Sequence, residues 1–209
     1  MRPKVSVLFA RADSIYKSIA SCDVYDAARD ARSYLGGLPI IAHPPCRSWG
    51  RVRGLAHIIP EEQQLGLWAV EQVRTWGGIL EHPQGSTLWP AAGLPEPGHR
   101  DRWDGFTLLI EQFWFGHRAA KPTWLYFAGC PDNSIPTLPW VGGRPTHVVC
   151  SSSCRNKFRR PEVSRPERDA TPLRLAHWLV KAASRCSVPC CSTSKPDFRN
   201  SFAFLEPAE

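Results

Sequence analysis

Two short motifs hold the residue types that make and break bonds. His43-Pro44-Pro45-Cys46 places a thiol directly after two prolines, and Glu81-His82-Pro83 places a carboxyl group before a His-Pro pair. Prolines fix the backbone and withhold amide hydrogens, so the turn at Cys46 is rigid and its thiol has a set direction. A thiolate is a strong nucleophile, and Arg47 or His43 beside it would lower its pKa. A carboxyl group such as Glu81 steadies charge and moves protons at a ring nitrogen. Together they suit addition of sulfur to an electron-poor ring carbon. Each residue also has a plainer role, Cys46 as a small buried hydrophobe and Glu81 in a surface ion pair. A further arrangement makes His43 or His82 the base of a thiol hydrolase.

The elements that must position these motifs follow from periodicity. Residues 5–9 read as a short buried strand and residues 12–20 as a helix with Ile15 and Ile19 on one face;. Val24-Tyr25 begins a second strand, Gly36-Gly37 marks a turn, and residues 39–42 form a third strand that ends at the Cys46 motif;. The clearest helix starts at Pro60 or Glu61 and runs to Trp76. Pro60 suits its first turn, and Glu61 and Glu62 complement its dipole. Leu65, Trp68, Ala69, Gln72, Val73 and Trp76 give it one mostly apolar face, and Gly77-Gly78 stops it;. Ile79-Leu80 then starts the strand that carries Glu81. Residues 107–114 and 122–128 read as two strands around a loop at 116–121, and Thr171-Pro172 opens a last amphipathic helix containing Leu175, Ala176, Leu179, Val180 and Ala183. This order predicts an α/β sandwich around a mainly parallel sheet, in which sites gather beyond the carboxyl ends of the strands. Cys46 and Glu81 both lie at such ends.

With those residues in place, a family likeness emerges. His43-Pro44-Pro45-Cys46 resembles the Pro-Cys nucleophile motif of DNA cytosine carbon-5 methyltransferases, including the double-proline form of phage-type members. Glu81-His82-Pro83 is similar to their Glu-Asn-Val or Glu-Asn-Pro motif. Gln112-Phe113-Trp114-Phe115-Gly116, followed by Lys121-Pro122-Thr123, resembles their later Gln-rich and Arg-rich motif on a strand pair. The motifs keep the family order over residues 22–128. The resemblance implies a Rossmann-like, methyltransferase-type sandwich. In it Cys46 attacks carbon 6 of cytosine, Glu81 binds ring nitrogen 3, and Arg118 or Lys121 holds the ring oxygen or a phosphate. Pro45, Ser48, His82 and Gln112 then surround the base. DNA, double- or single-stranded, is the implied partner and S-adenosylmethionine the implied cofactor, with Phe9 and Asp26 at the cofactor site. The cofactor half is abbreviated. No glycine occurs in Phe9-Ala10-Arg11-Ala12-Asp13-Ser14, and a strand-helix unit is missing between Tyr34 and Pro39.

Composition sets the remaining bounds. The chain has 209 residues, 43% of them apolar, with nine Trp and nine Phe, enough for one well-cored domain;. Residues 1–128 form the expected catalytic core, 129–170 a basic Cys- and Pro-rich region, and 171–209 a helix with an irregular tail. Net charge is +7, and Arg144, Arg155, Lys157, Arg159, Arg160, Arg165 and Arg168 crowd into one stretch suited to phosphates;. The apolar run near Met1 is too short for a signal peptide or membrane span, so the expected compartment is the cytoplasm. There the 8 Cys are expected as thiols or metal ligands;. Cys150, Cys154, Cys186 and Cys190, with His147 in reserve, form a candidate structural zinc set;. Besides a cytosine-modifying enzyme, the sequence allows a catalytically inactive, methyltransferase-like nucleic-acid-binding protein and the thiol hydrolase.

Overall fold

A computed structural model describes residues 2, 4–50, 59–150 and 160–189. Its frame is one six-stranded sheet, made of β1 (Val5–Leu8), β2 (Cys22–Val24), β3 (Ile40–Ala42), β4 (Gly78–Pro83), β5 (Phe106–Glu111) and β6 (Pro122–Ala128). The order across the sheet is β2-β1-β3-β4-β6-β5. β2, β1, β3 and β4 run parallel, whereas β6 pairs antiparallel with both β4 and β5. The molecule is therefore an α/β fold with a mixed, mostly parallel sheet.

Helices cover both faces, so the central strands β1 and β3 are buried along their whole length;. On one face α1 (Pro60–Trp76) and the short α2 (Leu88–Ala91) cover Leu8, Ile40, Ala42, Leu80 and Tyr126. On the other, α4 (Leu173–Ala183) covers Val5, Val7, Ile41, Ile79, Ile110 and Leu125. Just before α4 in the chain comes α3 (Arg165–Asp169), a helix of five residues. Among the described residues no helix is long and apolar enough to cross a membrane.

Three local departures from the sequence reading have physical causes. The helix expected over 12–20 is a single 3₁₀ turn, Ile15–Ser18, capped by the Ser14 hydroxyl. It stops at Ile19, whose backbone is already extended, φ −98° and ψ 104°, and whose amide closes the turn on the Tyr16 carbonyl. The strand expected to reach Trp114 stops at Glu111, because Pro122 opposite it has no amide to continue the ladder;. A 3₁₀ turn, Gln112–Phe115, follows and closes at Gly116 in the left-handed region, φ 97°. The buried stripe of α1 is Gly66, Ala69, Val70 and Val73, while Trp68 and Trp76 pack along its margin. Small residues at the contact let the helix lie close to the sheet.

The start of β4 is a tight backbone position in this frame. Gly78 has φ +132°, and a Cβ there would lie 2.1 Å from the carbonyl oxygen of Ile40. Gly78→Ala is expected to destabilise the fold by more than about 2 kcal/mol through backbone strain and collision with β3. The change in unfolding free energy in urea measures this, and a loss within about 0.5 kcal/mol would contradict it.

Candidate functional site

Strand register builds the site. β3 and β4 run in parallel with Ala42 beside Leu80, so the next residues, His43 and Glu81, emerge side by side at the sheet rim. Along β4 the side chains alternate: Ile79 packs in the α4 face and Leu80 in the α1 face. Glu81 therefore leaves on the α4 side and His82 on the α1 side.

Glu81 sits in a chain of hydrogen bonds. Its Oε2 lies 2.9 Å from His43 Nδ1, and its Oε1 accepts from Gln112 Nε2 at 3.2 Å. Gln112 also donates to Thr123 Oγ1 at 3.1 Å, which fixes the amide. His43 Nε2 lies 3.1 Å from the hydroxyl of buried Tyr16. Nδ1 faces the carboxylate and Nε2 faces the phenol, so the one ring bridges Glu81 and Tyr16;. Burial raises the Tyr16 pKa well above normal, and the Glu81 charge adds to this, so the phenol keeps its proton;. Burial also pushes the Glu81 carboxyl upward. The hydrogen bond and charge of His43, with the charges of Lys121 and His82, outweigh it and bring the pKa to about 2. Each carboxylate oxygen has one partner and keeps a lone pair, and the side chain is 16% exposed;. Glu81 is thus an ionised, oriented acceptor that a bound molecule can still reach.

Cys46 stands one turn beyond His43. Its carbonyl accepts from the amides of Trp49, at 3.1 Å, and Gly50, at 2.8 Å, closing a tight turn that leaves the cysteine exposed. Arg47 Nε lies 3.9 Å from Glu62, and His43 is held by Glu81 and Tyr16. Neither lowers the thiol pKa as the sequence suggested. The thiol is instead raised, first by the protein around it, then by the charges of Glu81 and Asp169, with Lys121 opposing. Without a bound partner the sulfur is a protonated thiol at neutral pH.

The other expected base-binding residues divide. Pro45 and Cys46 line a cavity of about 340 Å³ with Arg47, Glu62, Arg165, Arg168 and Asp169. Ser48 is buried with its hydroxyl unpartnered. His82 is buried beside the Trp89 ring, and neither of its nitrogens makes a hydrogen bond of good geometry. Burial lowers its pKa to about 4, against the charge of Glu81 and the nearby Pro45 carbonyl, so it is neutral at pH 7. Lys121 places its charge near both Cys46 and Glu81 while its Nζ donates to the Arg168 carbonyl at 2.8 Å. Arg118 is not brought to the pair. Its guanidinium binds both oxygens of Glu167 and contacts His147. Tyr16 and Thr123 are the residues that sequence reasoning missed. Tyr16 carries no motif signal and reads as a helix residue, whereas Thr123 closes the Lys121-Pro122-Thr123 motif but by itself reads as an ordinary strand position.

The implied cofactor residues fit poorly. Phe9 does adopt the left-handed backbone, φ 61°, where the resemblance calls for glycine. Its ring, however, packs on Trp68, and the following amide of Ala10 is bonded to the Tyr25 carbonyl. The Asp26 carboxylate is spent on its own loop, accepting from the amides of Ala28 and Arg29 and from Lys17 Nζ. A ribose would find no free carboxylate there, so no step is derived through S-adenosylmethionine. Of the candidate zinc ligands, Cys154 and Cys190 lie outside the described residues. Cys186 is buried in the α4 core, where it bonds the Ala182 carbonyl and the Cys130 thiol. Among the described residues no group of three or more His, Cys, Asp or Glu is placed to hold a metal.

Two downward pKa shifts predict how acid acts on the fold. A group whose folded pKa is lowered gives stability that is present above its ordinary pKa and lost as pH falls through the folded value. His82 therefore weakens the protein between pH 6.5 and about 4, and Glu81 between pH 4.5 and about 2. Denaturant unfolding at stepped pH should show stability declining from pH 6.5, and His82→Asn should flatten the upper window only. Parallel curves for the variant and wild type above pH 4 would contradict the assignment. Compared with known protein families and with curated proteins, the chain matches none.

Proposed function

We propose that this chain acts on cytosine in nucleic acid, with Cys46 adding to carbon 6 of the ring while Glu81 holds ring nitrogen 3. The reading takes the fold as a Rossmann-like, methyltransferase-type sandwich with an abbreviated cofactor half. It rests on one observation: an ionised carboxylate, locked by His43 and Gln112, lies within charge reach of an exposed thiol on the same sheet rim.

The chemistry follows from that pair. Cytosine with a proton on nitrogen 3 is the electrophilic form, and an ionised Glu81 stabilises it by accepting the N3–H hydrogen bond. A bond forms between Cys46 Sγ and carbon 6. The C5=C6 pair shifts to C4=C5 and the C4=N3 pair moves onto nitrogen 3, so that the proton the thiol gives up is balanced by the one nitrogen 3 has gained. Aromaticity is lost and carbon 5 becomes nucleophilic. Any electrophile then completes the reaction, and the simplest is a proton from water. When sulfur leaves again, carbon 5 releases its original hydrogen and the ring is restored. Exchange of the carbon-5 hydrogen with solvent is therefore the minimal activity, and it needs no group donor.

The hydrolase reading loses support from the same geometry. Both His43 nitrogens are engaged, and His82 emerges on the opposite face of β4 with its charged form disfavoured. Neither His43 nor His82 is therefore free to take the Cys46 proton.

The test is release of tritium to water from an oligonucleotide carrying 5-tritiated cytosine. Wild-type protein is expected to release it, Cys46→Ala to abolish release, and Glu81→Gln to slow it by about 10²–10⁴-fold. Oligonucleotide binding without any release by the wild type would favour the non-catalytic binding protein.

A further inference from the structure

We infer that α3 is a phosphate clamp built over Cys46, and that the substrate must carry a phosphate next to the base. The inference rests on the cytosine reading for the identity of the base, and on the cavity itself for the phosphate.

The open cavity beside Cys46 is walled by three arginines: Arg47 from the turn, and Arg165 and Arg168 from α3. Their acidic neighbours hold them loosely. Arg47 lies 3.9 Å from Glu62, Arg165 lies 3.8 Å from Asp169, and Arg168 lies 3.5 Å from the same Asp169. One aspartate thus serves two guanidiniums at the outer limit of ion pairing, and exposed pairs of this kind contribute little. A phosphate oxygen entering the cavity would meet donors ready to exchange partners, with the planar fork that suits phosphate.

The placement of α3 is the second strand of the argument. A helix of five residues has no stability of its own;. Three basic side chains from the main body hold this one. Arg11 Nη1 donates to the Pro166 carbonyl at 3.2 Å, Arg118 grips the Glu167 carboxylate with two bonds, and Lys121 Nζ reaches the Arg168 carbonyl. The Ser164 hydroxyl caps the N-terminal end by accepting from the Glu167 amide. These contacts take α3's backbone and its glutamate and leave Arg165 and Arg168 to face the cavity. Arg118 and Lys121 are thus positioning residues for α3.

A free base or nucleoside would leave the clamp empty, whereas a nucleotide or a strand would fill it. The experiment compares tritium release from 5-tritiated cytidine, from its 5′-monophosphate and from a short oligonucleotide. In parallel, binding of that oligonucleotide to Cys46→Ser protein is measured against salt, without chemistry. The phosphate-bearing substrates are expected to exceed the nucleoside at least tenfold in kcat/KM, and Arg165→Gln/Arg168→Gln should shrink that ratio about tenfold. The same pair of changes in Cys46→Ser protein should lower the salt slope by about two, one per arginine. Glu167→Gln keeps both arginines but frees α3 from Arg118, and should weaken binding in the same direction. The monophosphate and oligonucleotide arms separate a nucleotide from a strand as the source of the phosphate. Equal handling of nucleoside and phosphorylated substrates, or an unchanged salt slope in the double variant, would overturn the clamp and leave the cytosine reading intact. Arginine-dependent oligonucleotide binding with no tritium release from any substrate would sustain the clamp and remove the cytosine reading.

Discussion

The in-register pairing of β3 with β4 is the constraint on which the site depends. Ile40, Ile41 and Ala42 lie beside Gly78, Ile79 and Leu80, and the close approach at Gly78 leaves no room for a side chain. A slip of one residue would turn Glu81 to the opposite face of the sheet. It would then meet Trp89 and Trp124 instead of His43, Gln112 and Thr123. The hydrogen bond between His43 and Glu81 is therefore a consequence of backbone register before it is a property of either side chain. Gln112 depends on the same frame. β5 ends at Glu111 opposite Pro122, and the turn that follows places Gln112 against Thr123 on the face Glu81 uses.

The energetics fit the proposed reading, in which this arrangement serves chemistry rather than stability. Glu81 alternates with Ile79 along a strand whose neighbours on that face include Ile110 and Leu125. Replacing a buried, paired charge by a well-packed apolar residue is commonly neutral or stabilising, so the ion pair is poor evidence of a need for stability. The electrostatics at Cys46 point the same way. The carboxylate lowers its own pKa by recruiting His43 and raises that of the thiol nearby. Resting charge is concentrated on Glu81 and withheld from sulfur. Under the proposed reading, such a site holds the sulfur in reserve until a bound group with a proton to share, as in N3-protonated cytosine, engages Glu81.

Much of this was legible in the residues, and what was not has identifiable causes. The strands that lead to Cys46 and carry Glu81, the long helix Pro60–Trp76 and the terminal amphipathic helix follow from periodicity and from Pro and Gly punctuation, which are local signals. The rotation of α1 was hidden because its closest contact is made by a glycine. A Cβ on Gly66 would lie 2.6 Å from Trp49 Nε1, so a residue that costs a helix about 1 kcal/mol relative to Ala is there to admit the indole of the Cys46 turn;. Tyr16 was hidden because its role comes from contact with His43, 27 positions further on. Trp140 is 80% exposed and leans on Trp114 with ring centres 5.5 Å apart, a contact with no local signal in the sequence. Arg118 and Lys121 were read as ligand-binding cations because motif position says nothing of which acceptor a long side chain will find first.

The region between the last strand and the last helix illustrates that final point most fully. Residues 129–170 have little periodicity, and charge alone marks them as a phosphate-facing surface. Charge density, however, cannot tell which arginines face a ligand and which face the protein. That distinction is made by competition for acceptors. Arg118 meets a carboxylate with matching fork geometry, and Lys121 meets a backbone carbonyl, so both are satisfied within the fold. Arg165 and Arg168 are left to share Asp169 at marginal distance. The cations whose partners are strong become structure, and those whose partners are weak remain available for binding. A short helix with no stability of its own, fastened by the first kind and displaying the second, is how this chain brings a distant segment of sequence to the thiol.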